Sequence, residues 1–175
     1  IKGKTASGGF AYAPVRVLKT NHDALLSHRP DSEFLSTPQD FLKAVEATKQ
    51  QLTNLQDRLA QRLPESAALI FEAHFMILKD ASFVDAMLAK IEQGVSVPEA
   101  IREVAGHYMA LFSSAPSAYL KEKAQDIKDL ARRLLNNLHK ETLEDTDHAK
   151  GRIVIVRQLL PSDLLKLASE DVKGI

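Results

Sequence analysis

Phe71-Glu72-Ala73-His74-Phe75-Met76-Ile77-Leu78-Lys79-Asp80, followed about forty residues later by Tyr119-Leu120-Lys121-Glu122-Lys123-Ala124-Gln125-Asp126-Ile127-Lys128-Asp129-Leu130-Ala131-Arg132-Arg133-Leu134-Leu135, decides the fold. Each stretch reads as an amphipathic helix, with apolar side chains gathered on one side. Either alone would suit any helical bundle. Their order and spacing carry the information.

The segments around them supply the rest of the bundle. A first helix opens at Thr37-Pro38-Gln39-Asp40. Thr37 can cap free backbone N–H groups, Pro38 suits the first helical position, and Asp40 favours the positive helix end. Phe41, Val45, Thr48, Leu52, Leu55 and Leu59 then alternate steps of four and three, a narrow stripe for antiparallel packing that ends near Leu63-Pro64. A second helix from Pro64-Glu65 carries Ala68, Phe71, Phe75 and Leu78 on one side. Asp80 can cap a third, with Phe83, Val84, Met87, Leu88 and Ile91, stopped by Gly94. Ser96-Val97-Pro98 starts a fourth, with Ile101, Val104, Tyr108, Leu111 and Phe112, and Ser113-Ser114-Ala115-Pro116 breaks the chain again. The fifth runs to about His139 through Leu120, Ala124, Ile127, Leu130, Ala131, Leu134 and Leu138. Short connections favour antiparallel neighbours. Residues 19–142 therefore read as a polar connection (19–37) followed by an all-α bundle.

Both ends of the chain change character. Tyr12-Ala13-Pro14-Val15-Arg16-Val17-Leu18 reads as an edge strand, bulged or split at Pro14, after a Ser7-Gly8-Gly9 turn. Past the polar stretch Glu141 to Lys150, Ile153-Val154-Ile155-Val156 is a β-branched strand. Pro161-Ser162-Asp163 starts a short helix through Leu167, and Val172-Lys173-Gly174-Ile175 reads as another strand. Residues 1–18 and 143–175 are thus expected to form a split α/β unit with the bundle inserted. Two or three strands and one helix bury little core alone, so that unit reads as partial.

Composition narrows the function classes. Lys plus Arg equals Asp plus Glu, 23 against 23, which gives no field towards nucleic acid or anionic lipid. The absence of cysteine removes disulfides and thiolate nucleophiles and fits a reducing cytoplasm. No apolar run approaches the roughly 18–20 residues needed to span a bilayer, and no charged leader precedes an apolar stretch. A chain that opens on Ile reads as a processed or excised piece.

Phe-Glu-x-His followed at this distance by Tyr-Leu-x-x-x-x-x-Asp-Ile-x-Asp-x-x-x-Arg-Leu-Leu resembles the N-terminal half of Enzyme I, the phosphoenolpyruvate–protein phosphotransferase of the bacterial phosphotransferase system. The match is best from Phe71 to Leu138 and returns at Ile153–Val156, Leu160–Asp163 and Val172–Ile175. The resemblance implies a split phosphohistidine domain interrupted by a helical domain that docks a histidine phosphocarrier protein, HPr. In the family a Gly-Gly-x-Thr-Ser-His segment follows the strand corresponding to Val172–Ile175, and its histidine takes the phosphoryl group. A ring nitrogen suits that task because it attacks phosphorus and leaves readily. The sequence stops short of that segment, so no catalytic residue is expected in it and the polypeptide as given should transfer nothing. Mg²⁺ and a homodimer contact are implied for the parent through its C-terminal region.

None of the six histidines present replaces the missing one. His74 is expected to be structural, held by Asp80 across the helix end. His107 and His139 lie on helices without useful partners, and His22, His28 and His148 lie in polar connections. A metal site is disfavoured, because no His-x-x-x-His or paired His/carboxylate cluster occurs.

The resemblance maps the carrier-docking face onto Met76, Ile77 and Phe83, with Phe112, Leu120, Lys123 and Asp126 further on. In a generic bundle the apolar members of this set would be core; Asp126 would be a solvated helix charge. The chain departs from the family at Ser66, Lys79, Ala81 and Ser82, where acids are expected, and at Leu160, where Thr is common. These changes point to a nitrogen-regulatory or multidomain paralogue with a less basic partner or weak docking. The competing class is a non-catalytic helical adaptor.

Overall fold

The computed structural model describes residues 8–18, 36–59, 65–139 and 149–175. Several sequence expectations lie outside the described residues. These are the start of the first strand region (1–7), most of the polar connection (19–35) with His22 and His28, the Leu63-Pro64 helix end, and residues 140–148 with His148. The side chains of Ser66, Ala68 and His139 fall outside them as well.

Among the described residues the order is β1 (Val15–Val17), α1 (Pro38–Leu59), α2 (Glu65–Lys79), α3 (Ala81–Glu92), α4 (Val97–Ser113), α5 (Ala118–His139), β2 (Ile153–Ile155) and α6 (Pro161–Ser169). The helix ends follow local chemistry. Asp40 N–H donates to Thr37 Oγ1 at 3.2 Å while Thr37 N–H donates back to Asp40 Oδ2 at 3.0 Å, a reciprocal cap of α1. The backbone donation from Thr37 holds the Asp40 carboxyl below the usual carboxylate range. Asp80 caps α3 by accepting from Ser82 N–H at 2.9 Å, and Ser96 caps α4 by accepting from Glu99 N–H at 3.4 Å. Gly94 closes α3 at φ +92, where Gly94 N–H reaches Ile91 O and Val95 N–H reaches Lys90 O. That left-handed turn is cheap for glycine because it has no Cβ to clash.

The α1 stripe read from the sequence is the buried face: Phe41, Val45, Thr48, Leu52, Leu55 and Leu59 all face inward. Thr48 is tolerated there because its hydroxyl donates to Ala44 O at 2.7 Å and accepts from Asn137 Nδ2 at 2.9 Å. Two apolar clusters fill the bundle. One joins Phe41 and Val45 of α1, Phe83, Met87 and Ile91 of α3, Ile101 and Val104 of α4, and Ile127, Leu134 and Leu135 of α5. The other joins Leu52, Leu55 and Leu59 of α1 with Phe71 and Leu78 of α2, Leu130 of α5 and Leu165 of α6. Helix α5 contributes to both and is buried all round from Asp129 to Asn136. It is the axis on which the others pack.

β1 and β2 pair in parallel with Val15 opposite Ile153 and Val17 opposite Ile155, so both ends of the chain meet. The first strand begins after Pro14, shorter than its sequence pattern suggested. Pro14 has no N–H to give, and its carbonyl accepts from Ile153 N–H at 2.9 Å. The strand expected over Val172–Ile175 reduces to one bridge, Gly174 beside Ile153. Val154 turns inward against Ala149 and Leu167, while Val15, Val17 and Ile155 stay exposed.

Phe83 corrects an expectation. Its ring is only 2 % exposed, packed in the first cluster and edge-on to Tyr108 with centroids 5.5 Å apart. The i, i+4, i+8 run Phe83, Met87, Ile91 is the inward face of α3, and a ring at its head goes with it. Phe83→Ala should therefore cost about 3–5 kcal/mol of stability in urea unfolding. A loss below about 1 kcal/mol would mean that the ring is not part of the core.

Candidate functional site

Two features of the bundle stand out, an exposed apolar end and a buried polar junction. Because the helices alternate in direction, the C-terminal end of α2, the start of α3, the end of α4 and the start of α5 come together at one end. Tyr108 of α4 ties this end together, reaching Ser82 of α3 at 3.4 Å and packing near Phe112 with centroids 6.3 Å apart. Met76 is 72 % exposed here, Tyr119 64 % and Leu111 53 %.

The sequence-derived candidates divide accordingly. Met76 is presented to solvent, and Ile77, Phe112 and Leu120 are half-buried. Phe83 lies beneath them in the core. Asp126 is buried and receives Lys123 Nζ at 3.0 Å, so it is not the solvated helix charge of the bland reading. Lys123 also lies 5.1 Å from the Tyr119 ring centroid, a cation–π arrangement. Leu111 and Tyr119 were missed as surface residues. Leu111 continues an apolar period that runs past the end of what α4 buries, and only the packing partners reveal where burial stops.

The second feature was legible only in part. His74 and Asp129 are both fully buried, with His74 Nε2 3.5 Å from Asp129 Oδ2. The expected partner of His74, Asp80, is instead engaged by Ser82 N–H and Oγ at 2.9 and 2.6 Å. Asp129 accepts Ser162 N–H at 2.8 Å and Ser162 Oγ–H at 2.6 Å, from the first turn of α6. That helix starts at Leu160, which has no side-chain oxygen to cap it, so a carboxylate from α5 does the capping. Asp163 closes the same turn by accepting Leu160 N–H at 3.1 Å and holds Arg132 through both oxygens, at 2.5 and 3.1 Å. Arg132 and Arg133 also approach Asp129 Oδ1, at 3.4 and 3.6 Å.

Electrostatics explain why Asp129 is charged inside the protein. Burial is the largest influence and opposes ionisation. The His74 contact, then the charges of Arg133 and Arg132, outweigh it and hold the carboxyl well below the usual range. Burial also pushes the Arg133 guanidinium down from its ordinary value, opposed by Asp129. Although Ser, Asp and His stand together, the carboxylate sits between the other two, and the serine hydroxyl donates to it. A carboxylate depressed this far is a poor base near neutral pH, so the group positions helices and does not activate a nucleophile. A separate open cleft of about 350 Å³ between α1 and α2 is lined by Lys49, Thr53, Phe75, Leu78 and Lys79.

Replacing Asp129 by Asn should cost about 3–5 kcal/mol at neutral pH, since it removes the carboxylate nearest the buried Arg133 and leaves Arg132 with Asp163 alone. The folded pKa is depressed, so the wild-type advantage is fully present above the unfolded value, about 3.9, begins to fade below it and is lost as pH falls through the lower folded value. Urea midpoints measured down the acid range should show the two proteins converging below about pH 4. A gap that stays constant into that range would place the effect elsewhere.

Residues 2–123 match the family described as PEP-utilising enzyme, N-terminal. Over 176 aligned residues the chain is 30 % identical to the phosphoenolpyruvate-protein phosphotransferase of Staphylococcus epidermidis and 29 % identical to that of Staphylococcus aureus strain MRSA252. Each alignment takes in 99 % of this chain and 31 % of the relative, so the chain spans about a third of those proteins. A solution structure of an Enzyme I protein superposes with a TM-score of 0.67 at 25 % identity, covering 92 % of this chain and 62 % of that one. The N-terminal domain of a nitrogen Enzyme 1 superposes with a TM-score of 0.67 at 18 % identity, over 93 % of this chain and 76 % of that one, and speaks for the fold alone. The mostly helical architecture and the matched sequence lead to one conclusion: the chain belongs to the family of PEP-utilising enzymes, N-terminal, of the Enzyme I type.

Proposed function

We propose that the exposed end of the bundle docks an HPr-type histidine phosphocarrier, as part of a parent phosphoenolpyruvate–protein phosphotransferase. One observation supports this most. Met76, Leu111 and Tyr119, from three different helices, are exposed, and the Tyr108–Ser82 contact brings the α4 end and the α3 start together. Flexible Met and flat aromatic rings give adaptable apolar contact, the usual centre of a protein interface. Ile77, Phe112 and Leu120 support them from the half-buried layer, and Phe83 acts from beneath by fixing Tyr108.

On this reading, residues 1–18 and 143–175 belong to a phosphohistidine domain and 19–142 to the docking domain. The parallel pairing of β1 with β2 is consistent with that division. The Asp129 junction then holds the two units in a fixed relation. Phosphoryl transfer from a phosphohistidine needs a ring nitrogen, and His74 is unsuited because it is enclosed against Asp129. Among the described residues no group of three or more His, Asp or Glu side chains could hold a metal ion, and Mg²⁺ is proposed for the parent protein alone. A cytoplasmic setting and a dimer through the remainder of the parent complete the proposal. No described helix is long and apolar enough to cross a membrane.

Calorimetric titration with the HPr-type carrier of Staphylococcus aureus tests the docking. Met76→Ala and Tyr119→Ala should each weaken binding by about tenfold or more while the circular dichroism spectrum is unchanged. Unchanged affinity in both variants would remove the assignment and favour an adaptor bundle.

A further inference from the structure

Lys123 and Asp126, expected on the docking face from the sequence, are not free charges in the structure. Tyr119, Lys123 and Asp126 stand at i, i+4 and i+7 on α5, one above another on a single face of the helix. The Lys123 ammonium is held from both sides. Its Nζ lies 3.0 Å from Asp126 Oδ2 and 5.1 Å from the centroid of the Tyr119 ring. The Asp126 side chain is 9 % exposed and that of Lys123 22 %, so the ion pair is largely covered while the ring stays open to solvent. A covered pair is screened much less than one at the surface, which keeps the long lysine side chain in place. An enclosed carboxylate is thus the fixed end of a stack whose outer end is an exposed ring.

We infer that Lys123 and Asp126 are positioning residues: they hold the Tyr119 ring in the orientation that a partner meets, and make no contact with the partner themselves. The inference rests on the docking reading above. An exposed tyrosine samples several rotamers and gives up that freedom on binding, which costs affinity. A cation seated on the ring face selects one rotamer before the partner arrives. For Lys123 to offer its charge to an acidic group on the partner instead, it would need to break the Asp126 pair and strip the ring of its cation.

The experiment replaces the pair together, Lys123→Met with Asp126→Asn, so that neither charge is left without its counterpart. Binding of the Staphylococcus aureus HPr-type carrier is measured by calorimetry with and without the replacement, both with Tyr119 present and in Tyr119→Ala. The replacement should weaken binding about three- to tenfold with Tyr119 present and by less than about 1.5-fold in Tyr119→Ala. In the partner-free chain, nuclear magnetic resonance relaxation of the Tyr119 side chain should show a more mobile ring after the replacement. Equal loss of affinity in both backgrounds would mean that Lys123 or Asp126 meets the partner directly. No loss in either background, or unchanged ring mobility, would mean that the stack orders nothing. Each of these results overturns the inference and leaves the docking reading intact. Absence of binding by the unaltered chain would overturn the docking reading, and the inference with it.

Discussion

A single buried carboxylate sets the terms for the rest of the molecule. Asp129 lies at the centre of α5, fully enclosed, and an ion so placed without partners would be too costly to keep charged. The fold answers with donors from three helices: His74 from α2, Arg132 and Arg133 from α5 itself, and Ser162 from the start of α6. Each must arrive in register. Hydrophobic packing alone would tolerate α6 sliding or rotating on the bundle, since apolar contact is non-directional. The short bonds from Ser162 to Asp129 and the two-pronged Asp163–Arg132 pair do not allow it.

That constraint also governs the exposed end. His74 and Met76 are two positions apart on α2, so a helical rotation of about 100° per residue sends them to nearly opposite sides. Fixing His74 inward on Asp129 therefore fixes Met76 outward. Helix α5 does the same along its length, with Tyr119 and Lys123 near the surface at its start and Asp129 inside two to three turns later. Two of the three helices that present the exposed apolar residues, α2 with Met76 and α5 with Tyr119, are ones that the junction orients. The site proposed for a partner and the buried ion network are two faces of one arrangement.

Much of this was readable from residue patterns, and the failures have physical reasons. The α1 stripe, the Thr37–Asp40 cap, the Asp80 and Ser96 caps and the Gly94 stop are local signals, resolved within one or two turns. The polar face of α5 was not, because Asp129, Arg132 and Arg133 in a sequence look like solvated helix charges. Their burial depends on Ser162 and Asp163, more than thirty residues further on. His74 was paired in expectation with the acid nearest in sequence, whereas the fold supplied one from another helix. Phe83 was expected at the surface through resemblance, although its own i, i+4 period with Met87 and Ile91 pointed inward. Met76 could not be separated from a core methionine by spacing alone. Its exposure follows from which side of α2 the polar junction claims.

The measurement that bears most directly on the account is residue-resolved nuclear magnetic resonance of the isotopically labelled chain, titrated with an HPr-type carrier. The account predicts that shifts concentrate at Met76, Leu111 and Tyr119, with the signals of Val15, Val17 and Ile155 on the open sheet face left in place. Shifts centred on that sheet face, with the Met76 end unaffected, would contradict it.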